Sequence, residues 1–456
     1  MSDVAAPVLS RRRSGVLLPA SALRHDHRGA LGDGALRFID WLADAGFTVW
    51  QLLPLVPTDE SGSPYWARSD RAGNIALTDA LAPDPGSEDD FAAFRAASSG
   101  WLDDYTLFEA LSAEQGGAPW WNWPEPLRRR DPQALVAARQ RLAPQLSHLA
   151  RAQWRFDEQW RALRRHAAAR GVKIFGDLPI YVAPDSVATW TSPGDFQLDA
   201  SGRAVAVSGV PPDYFAEDGQ LWGNPLYDWD AQRRDGFGFW MRRLALQADR
   251  FDLLRIDHFR ALEAYWSVAA GASSARGGQW LPAPGGEMLA RARALLPQLE
   301  LVAEDLGVIT PAVNALRRQF GLPGMRVLQF GFDGDAANLH LPHAHSADCV
   351  VYTGTHDNDT TVGWYASLDE RARDHVRRYF GRPDHEVVDA LLRAGLSSVG
   401  VLAVLPMQDI LQLGSGARLN RPGTTTGNWA WRLPGASLTP DLAARYRDLN
   451  QLYDRS

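Results

Sequence analysis

Two residue types are almost missing from this 456-residue chain: it has one cysteine, Cys349, and a single lysine, Lys173, among 47 basic residues. One cysteine can form no intrachain disulfide, so a disulfide framework is excluded. Cys349 lies in the apolar run Cys349-Val-Val-Tyr352 and reads as a buried, inert thiol. Schiff-base chemistry could use only Lys173. No long run of one charge sign occurs and the net charge is −7, which argues against nucleic acid as a partner. No span approaches the ~18–20 apolar residues of a membrane helix. Arg11-Arg12-Arg13 before Gly15-Val-Leu-Leu18 mimics a secretory signal, but Pro19 interrupts an apolar stretch already too short for one. The expected location is therefore cytoplasmic, with no membrane partner. Walker, dinucleotide-binding and Gly-x-Ser-x-Gly motifs are absent, which removes nucleotide cofactors and serine hydrolysis. No repeat of fixed period or low-complexity tract is present.

The chain does hold short apolar runs of strand length, most of them separated by helical segments. Residues 1–14 carry no element signal and are expected to be unstructured. Gly15–Leu18 and Val49–Leu55 flank a helix-spaced segment, 34–46, that closes on Gly46. Further strand signals fall at 172–180, 253–259, 301–306, 325–330, 350–353 and 402–405, with helical segments such as 286–298, 311–319 and 369–395 between them. The total is eight, the arithmetic of an α/β fold of (β/α)8 TIM-barrel type with helical insertions. The expected organisation is one catalytic barrel over 1–456, with a mainly helical insertion at about 80–170 and a smaller helical one at about 366–396.

Several strand signals end in acid. Asp252-Leu-Leu-Arg-Ile-Asp-His-Phe-Arg260 passes from an apolar run into Arg255, Asp257 and His258. Asp177, Glu304-Asp305, His356-Asp357-Asn358-Asp359 and Gln408-Asp409 repeat the pattern. Ionisable groups do not sit unpaired in a strand interior, so each marks a strand leaving the core. Barrel closure gathers those ends at one mouth, where a shared acidic site is expected. Carboxylates with few bases leave three chemistries open: glycoside transfer using a nucleophile and a protonated acid, metal-assisted hydrolysis, and non-catalytic sugar binding. The 18 tryptophans favour sugar. Trp66, Trp222 and Trp429 lie in polar loops, where flat rings can stack on pyranose faces. The metal reading has His340, His343, His345 and Asp357-x-Asp359 in its favour, but no second ligand cluster matches them. No metal and no cofactor are expected.

The residues resemble the 4-α-glucanotransferases (amylomaltases, disproportionating enzymes) of glycoside hydrolase family 77. The resemblance rests on Trp50-Gln-Leu-Leu-Pro-Leu55, Ser63-Pro-Tyr65, Gly176-Asp-Leu-Pro-Ile-Tyr-Val182, Gly209-Val-Pro-Pro-Asp-Tyr-Phe215, Trp222-Gly-Asn-Pro-Leu-Tyr227, Arg255-Ile-Asp-His-Phe-Arg260, Ala303-Glu-Asp-Leu-Gly307, Tyr352-Thr-Gly-Thr-His-Asp-Asn-Asp-Thr360 and Gly427-Asn-Trp-Ala-Trp-Arg432, in family order along nearly the whole chain. It implies a retaining double displacement on α-1,4-glucans and maltooligosaccharides, with glucose or another glucan as acceptor. Asp257 matches the nucleophile, Glu304 the acid/base and Asp357 the third carboxylate, which stabilises the transition state. Arg255 and His356 match residues flanking the donor sugar, and Tyr65, Asp213, Trp222 and Asn428 match substrate contacts. An α-glucan hydrolase of the amylase type, or a catalytically silent glucan-binding protein, would share these carboxylates or part of this surface. Ser69-Asp-Arg71 and Leu339-His-Leu-Pro-His-Ala-His345 depart from the family pattern in loops expected near the mouth.

Overall fold

The computed structural model describes residues 7–24, 29–79, 82, 85–212 and 217–456. Among them twelve strands form, in chain order: β1 (Arg13–Leu17), β2 (Val49–Gln51), β3 (Lys173–Leu178), β4 (Ala206–Val210), β5 (Gln220–Pro225), β6 (Leu253–Ile256), β7 (Ala264–Ala269), β8 (Gln279–Pro282), β9 (Leu301–Ala303), β10 (Gly324–Val327), β11 (Cys349–Tyr352) and β12 (Leu402–Pro406). Eight of these form one parallel sheet in the order β10-β11-β12-β1-β2-β3-β6-β9. The N–H of Ala303 donates to the carbonyl of Pro323 at 2.9 Å, bringing β9 back beside β10 and nearly closing the barrel. All eight expected strands are present, on a TIM-barrel plan.

Alternation inside the strands makes the core. Leu17, Val49, Phe175, Leu253, Val302, Met325, Val327, Val350, Tyr352, Leu402 and Val404 fill the barrel lumen as one buried cluster. Their neighbours, such as Val16, Trp50, Ile174, Leu254 and Ala303, face outward and pack with the surrounding helices. The expected strand over 49–55 is shorter, because past Gln51 the chain heads for the mouth and Pro54 has no N–H to extend a ladder. The helix between β1 and β2 runs Asp33–Asp44 and stops before Gly46, whose φ of 74° only glycine adopts freely.

Three sequence expectations change. Residues 7–14 are ordered: Glu300 accepts the N–H groups of Val8 and Leu9, and Arg13 Nε donates to the Val8 carbonyl at 2.7 Å. Second, Trp222, expected in a polar loop, lies on β5, which joins β4, β7 and β8 in a four-stranded antiparallel sheet ordered β5-β4-β7-β8. Its pairing is non-local and its strands contain Gly209 and Gly223, so no period-2 apolar pattern announces it. Third, not every strand-end acid reaches the mouth. Asp409 is buried and accepts Thr353 Oγ1, the Thr361 N–H and Thr361 Oγ1, a cap between β11, β12 and the helix Thr361–Ser367. Asp305 turns outward to the Met325 N–H, with Arg317 and Arg326 nearby.

Between β2 and β3, helices span Glu88–Ala97, Leu102–Glu114, Pro132–Arg141 and Ala143–Ala169. They enclose a cluster of their own around Phe108, Trp120, Trp123 and Trp190. Between β11 and β12, Glu370–Phe380 and Val387–Ser397 are helical. Among the described residues no helix is long and apolar enough to cross a membrane.

The other end of the barrel is closed by Arg455. Its fully buried guanidinium donates to the carbonyls of Arg13, Leu396, Ser398 and Gly400. Replacing it removes all four bonds, leaving Arg12 Nη2 as the remaining side-chain donor to the Leu396 and Ser398 carbonyls. Arg455→Ala is expected to lower unfolding free energy by roughly 3 kcal/mol, read as a shift in urea midpoint. A midpoint equal to wild type would mean that water replaces the guanidinium at no cost.

Candidate active site

The register of β3, β6 and β9 builds the centre. Arg255 on β6 pairs with Asp177 on β3 and with Val302 on β9. Residues two apart point to the same face, so Arg255 and Asp257 both turn into the lumen. Arg255 Nη1 meets both oxygens of the fully buried Asp177 at 2.7 Å, and Nη2 meets Asp257 Oδ1 at 2.8 Å. One guanidinium thus clamps two carboxylates. Removing Arg255 would leave both carboxylates without their cation. Burial works against the charge on Arg255, but Asp177 and Asp257 outweigh it and hold the guanidinium firmly protonated. The Asp257 side chain is 28% exposed, the open side of an otherwise enclosed group.

Glu304 follows β9, next to Asp257 across the sheet: Ile256 is in register with Ala303, one residue before each. Its Oε2 accepts the N–H of His258 at 2.7 Å and its Oε1 accepts the N–H of Leu306 at 2.9 Å. His258 can offer its N–H this way because it takes the left-handed conformation, φ 48°. Side chains rarely tolerate that region, and it recurs where function over-determines the backbone. Burial raises the Glu304 carboxyl to about 7, opposed by Arg255 and assisted by Asp257. Burial also raises the Asp257 carboxyl above its ordinary value; Arg255 opposes that shift, Asp177 adds to it, and His356 and Asp357 act with smaller and opposite effects. The two acids are therefore unlike: Asp257 carries a cation in direct contact, whereas Glu304 is held only by two backbone donors.

Asp357 comes in from the loop after β11. Asn420 Nδ2 donates to its Oδ1 at 2.6 Å, and His356 Nε2 lies 3.4 Å from its Oδ2. The Arg418 guanidinium fixes the same turn through the Asp357 carbonyl at 2.6 Å. Tyr65 stacks on His356, rings 5.1 Å apart and 12° from parallel, while its hydroxyl donates to Asp177 at 2.7 Å. Burial, and then Asp177, raise that phenol far above its ordinary value, so it remains a donor. Trp429, in a left-handed turn at φ 61°, closes this side with its ring 6.0 Å from Tyr65 and 6.1 Å from His356. On the opposite side Trp222 meets the His258 ring edge-on at 4.7 Å.

Of the residues singled out from sequence, Asp257, Glu304, Asp357, Arg255, His356 and Tyr65 converge on this mouth, and Trp222 borders it through His258. Asp213 lies outside the described residues. Asn428 spends its amide inside its own loop, accepting from the Arg421 N–H and donating to the Thr424 carbonyl, so Trp429 rather than Asn428 faces the centre. Two contributors were not assigned from sequence. Asp177 was visible as a strand-end acid, but its partnership with Arg255 depends on register. Asn420 carries no local signal at all. Among the described residues no group of three or more His, Cys, Asp or Glu side chains is placed to hold a metal ion. His340, His343 and His345 go separate ways, to the Val327 N–H, to Tyr379 with the Ala336 carbonyl, and to Ser398. Burial raises the Cys349 thiol to about 11, as suits an inert core group.

The 4-alpha-glucanotransferase profile of glycoside hydrolase family 77 matches residues 18–82 and 78–439. The chain belongs to this family. It is 44% identical to the 4-alpha-glucanotransferase of Thermus thermophilus, over 97% of this chain and 99% of that one. The 4-alpha-glucanotransferase of Synechocystis sp. is 42% identical over 98% of this chain and 99% of its own. In structure, the amylomaltase from Streptococcus agalactiae in complex with acarbose superposes with a TM-score of 0.93 at 31% identity, covering 98% of this chain and 100% of that one. An α-amylase from Geobacillus thermoleovorans, at 10% identity and a TM-score of 0.53, shares the barrel fold alone.

Proposed function

We propose that the protein is a 4-α-glucanotransferase that moves a segment of an α-1,4-glucan or maltooligosaccharide to the 4-hydroxyl of glucose or another glucan by retaining double displacement. The observation that carries this reading is the asymmetry between neighbouring acids: Asp257 in contact with Arg255, and Glu304 buried and raised to about 7. With one cation beside it, Asp257 is the group that ionises and attacks C1. Glu304 keeps its proton and delivers it to the glycosidic oxygen. Neighbouring parallel strands lie about 4.8 Å apart, which suits the roughly 5–5.5 Å between carboxyls that covalent retention requires. Once the leaving sugar departs, Glu304 is the anion and takes the proton from the incoming 4-hydroxyl. Asp357, with His356 and Asn420 behind it, holds hydroxyls of the donor sugar as its ring flattens, and Tyr65 covers that sugar's face.

Asp177 sits beneath, holding Arg255 so that the guanidinium faces Asp257. Asp213, Trp222 and Asn428 are assigned to substrate contact on the family match, Asn428 through the loop that carries Trp429. The same proposal takes the protein as a single catalytic barrel with helical insertions, acting in the cytoplasm in maltodextrin or glycogen metabolism without metal or cofactor. Incubation with maltotriose tests it. Glucose plus maltooligosaccharides longer than the substrate, at constant total reducing ends, is the expected result. A steady rise in reducing ends would identify a hydrolase instead, and no product at any concentration would leave only glucan binding.

A further inference from the structure

Among the described residues Trp66, which follows Tyr65 in a polar loop, is partly exposed, touches no other aromatic ring and makes no hydrogen bond through its indole N–H. The loop under it is anchored. Ala67 bridges Thr58, and the Arg68 N–H donates to the Pro57 carbonyl at 3.1 Å. The Arg68 guanidinium is held by Glu109 at 3.0 Å, Ser112 at 2.9 Å and Asp185 at 3.4 Å. From this base Trp66 reaches across to Gly223 of β5, where a Cβ would lie 3.8 Å from its ring tip. Gly223 has φ 81°, so the strand offers a bare backbone there, with Trp222 beside it.

The direction of this bridge follows from the acids. Glu304 protonates the leaving oxygen, so the groups around it belong to the acceptor side. Trp222 reaches Glu304 through His258, whose N–H Glu304 accepts. Tyr65, His356 and Trp429 crowd the donor side at Asp357. Trp66 therefore extends the Trp222 side of the mouth.

We propose that Trp66 is a specificity-determining residue, a second aromatic platform that stacks the apolar face of an acceptor glucosyl unit beyond the one at the reacting bond, with its free N–H open to a sugar hydroxyl. This inference rests on the glucanotransferase reading. It predicts a preference for acceptors of two or more sugars over glucose. Because the Arg68 anchors hold the loop before any sugar arrives, little ordering cost opposes the stack.

The test uses Trp66→Leu, which keeps apolar bulk against Gly223 without a planar ring, and Trp66→Phe, which keeps a ring. Transfer from amylose is measured to glucose and to maltotriose as acceptors. For Trp66→Leu the KM for maltotriose should rise about tenfold and that for glucose less than about twofold, with Trp66→Phe restoring most of the difference. Equal changes for both acceptors, or none for maltotriose, would overturn the proposal and leave Trp66 a brace on Gly223. A calorimetric titration with maltotriose and with glucose, in an Asp257→Asn background, reads the platform without turnover. Weaker maltotriose binding in Trp66→Leu there upholds the platform even if the protein proves no transferase, and unchanged binding sinks it.

Discussion

Asp257→Asn is expected to lower kcat/KM for maltotriose by roughly 10^4-fold or more, the scale on which loss of a covalent nucleophile is felt. The amide keeps the shape of the side chain, and Arg255 retains both contacts to Asp177 at 2.7 Å, so no guanidinium is stranded in the core. The melting temperature should accordingly stay close to wild type, which separates lost chemistry from lost fold. Asp257→Ala adds a sharper readout. Azide can enter the space of the missing carboxylate and attack from its face, so an activated maltoside should yield a glycosyl azide of inverted configuration. Retained configuration, or full turnover in the asparagine variant, would remove Asp257 from the nucleophile role.

Glu304→Gln should cost about 10^2–10^4-fold on maltotriose, the range of general acid catalysis. The loss should shrink on a nitrophenyl maltoside, whose leaving group departs without a proton. The pH profile supplies the sign. Glu304 acts first as an acid and must be protonated, and burial raises its carboxyl to about 7. Wild-type kcat/KM for the donor should therefore fall as pH rises through about 7. The acid limb belongs to Asp257, which must lose its proton to attack. Glutamine does not titrate, so the alkaline limb should vanish in Glu304→Gln. A limb persisting at the same midpoint would assign it to some other group and undo the acid/base role.

The difference between legible and illegible residues follows contact distance along the chain. Asp257 and Arg255 are two apart on one strand, so their shared face is implicit in the alternation of a strand. Glu304 and Asp357 stand in motifs whose apolar lead-ins mark strand ends. The Asp177–Arg255 clamp spans 78 residues and depends on the register of β3 with β6. Asn420 meets Asp357 across 63 residues from a loop without pattern. Asp305 and Asp409 look like Glu304 and Asp357 in sequence, yet one turns outward to Arg317 and the other caps Thr353 and Thr361. An acid after an apolar run states only that a strand is ending; the pleat decides which face receives it.

By itself the sequence determined the eight parallel strands and the family, and it pointed to Asp257, Glu304 and Asp357, because each is written in local periodicity or in short motifs. It also excluded disulfides and a membrane helix by composition. Tertiary structure alone decided which acids share the mouth and which acid carries the cation. It revealed the antiparallel sheet, whose strands pair across gaps in the chain. The raised Glu304 carboxyl likewise belongs to the fold, since its proton affinity is set chiefly by burial and then by Arg255 and Asp257 from the neighbouring strand.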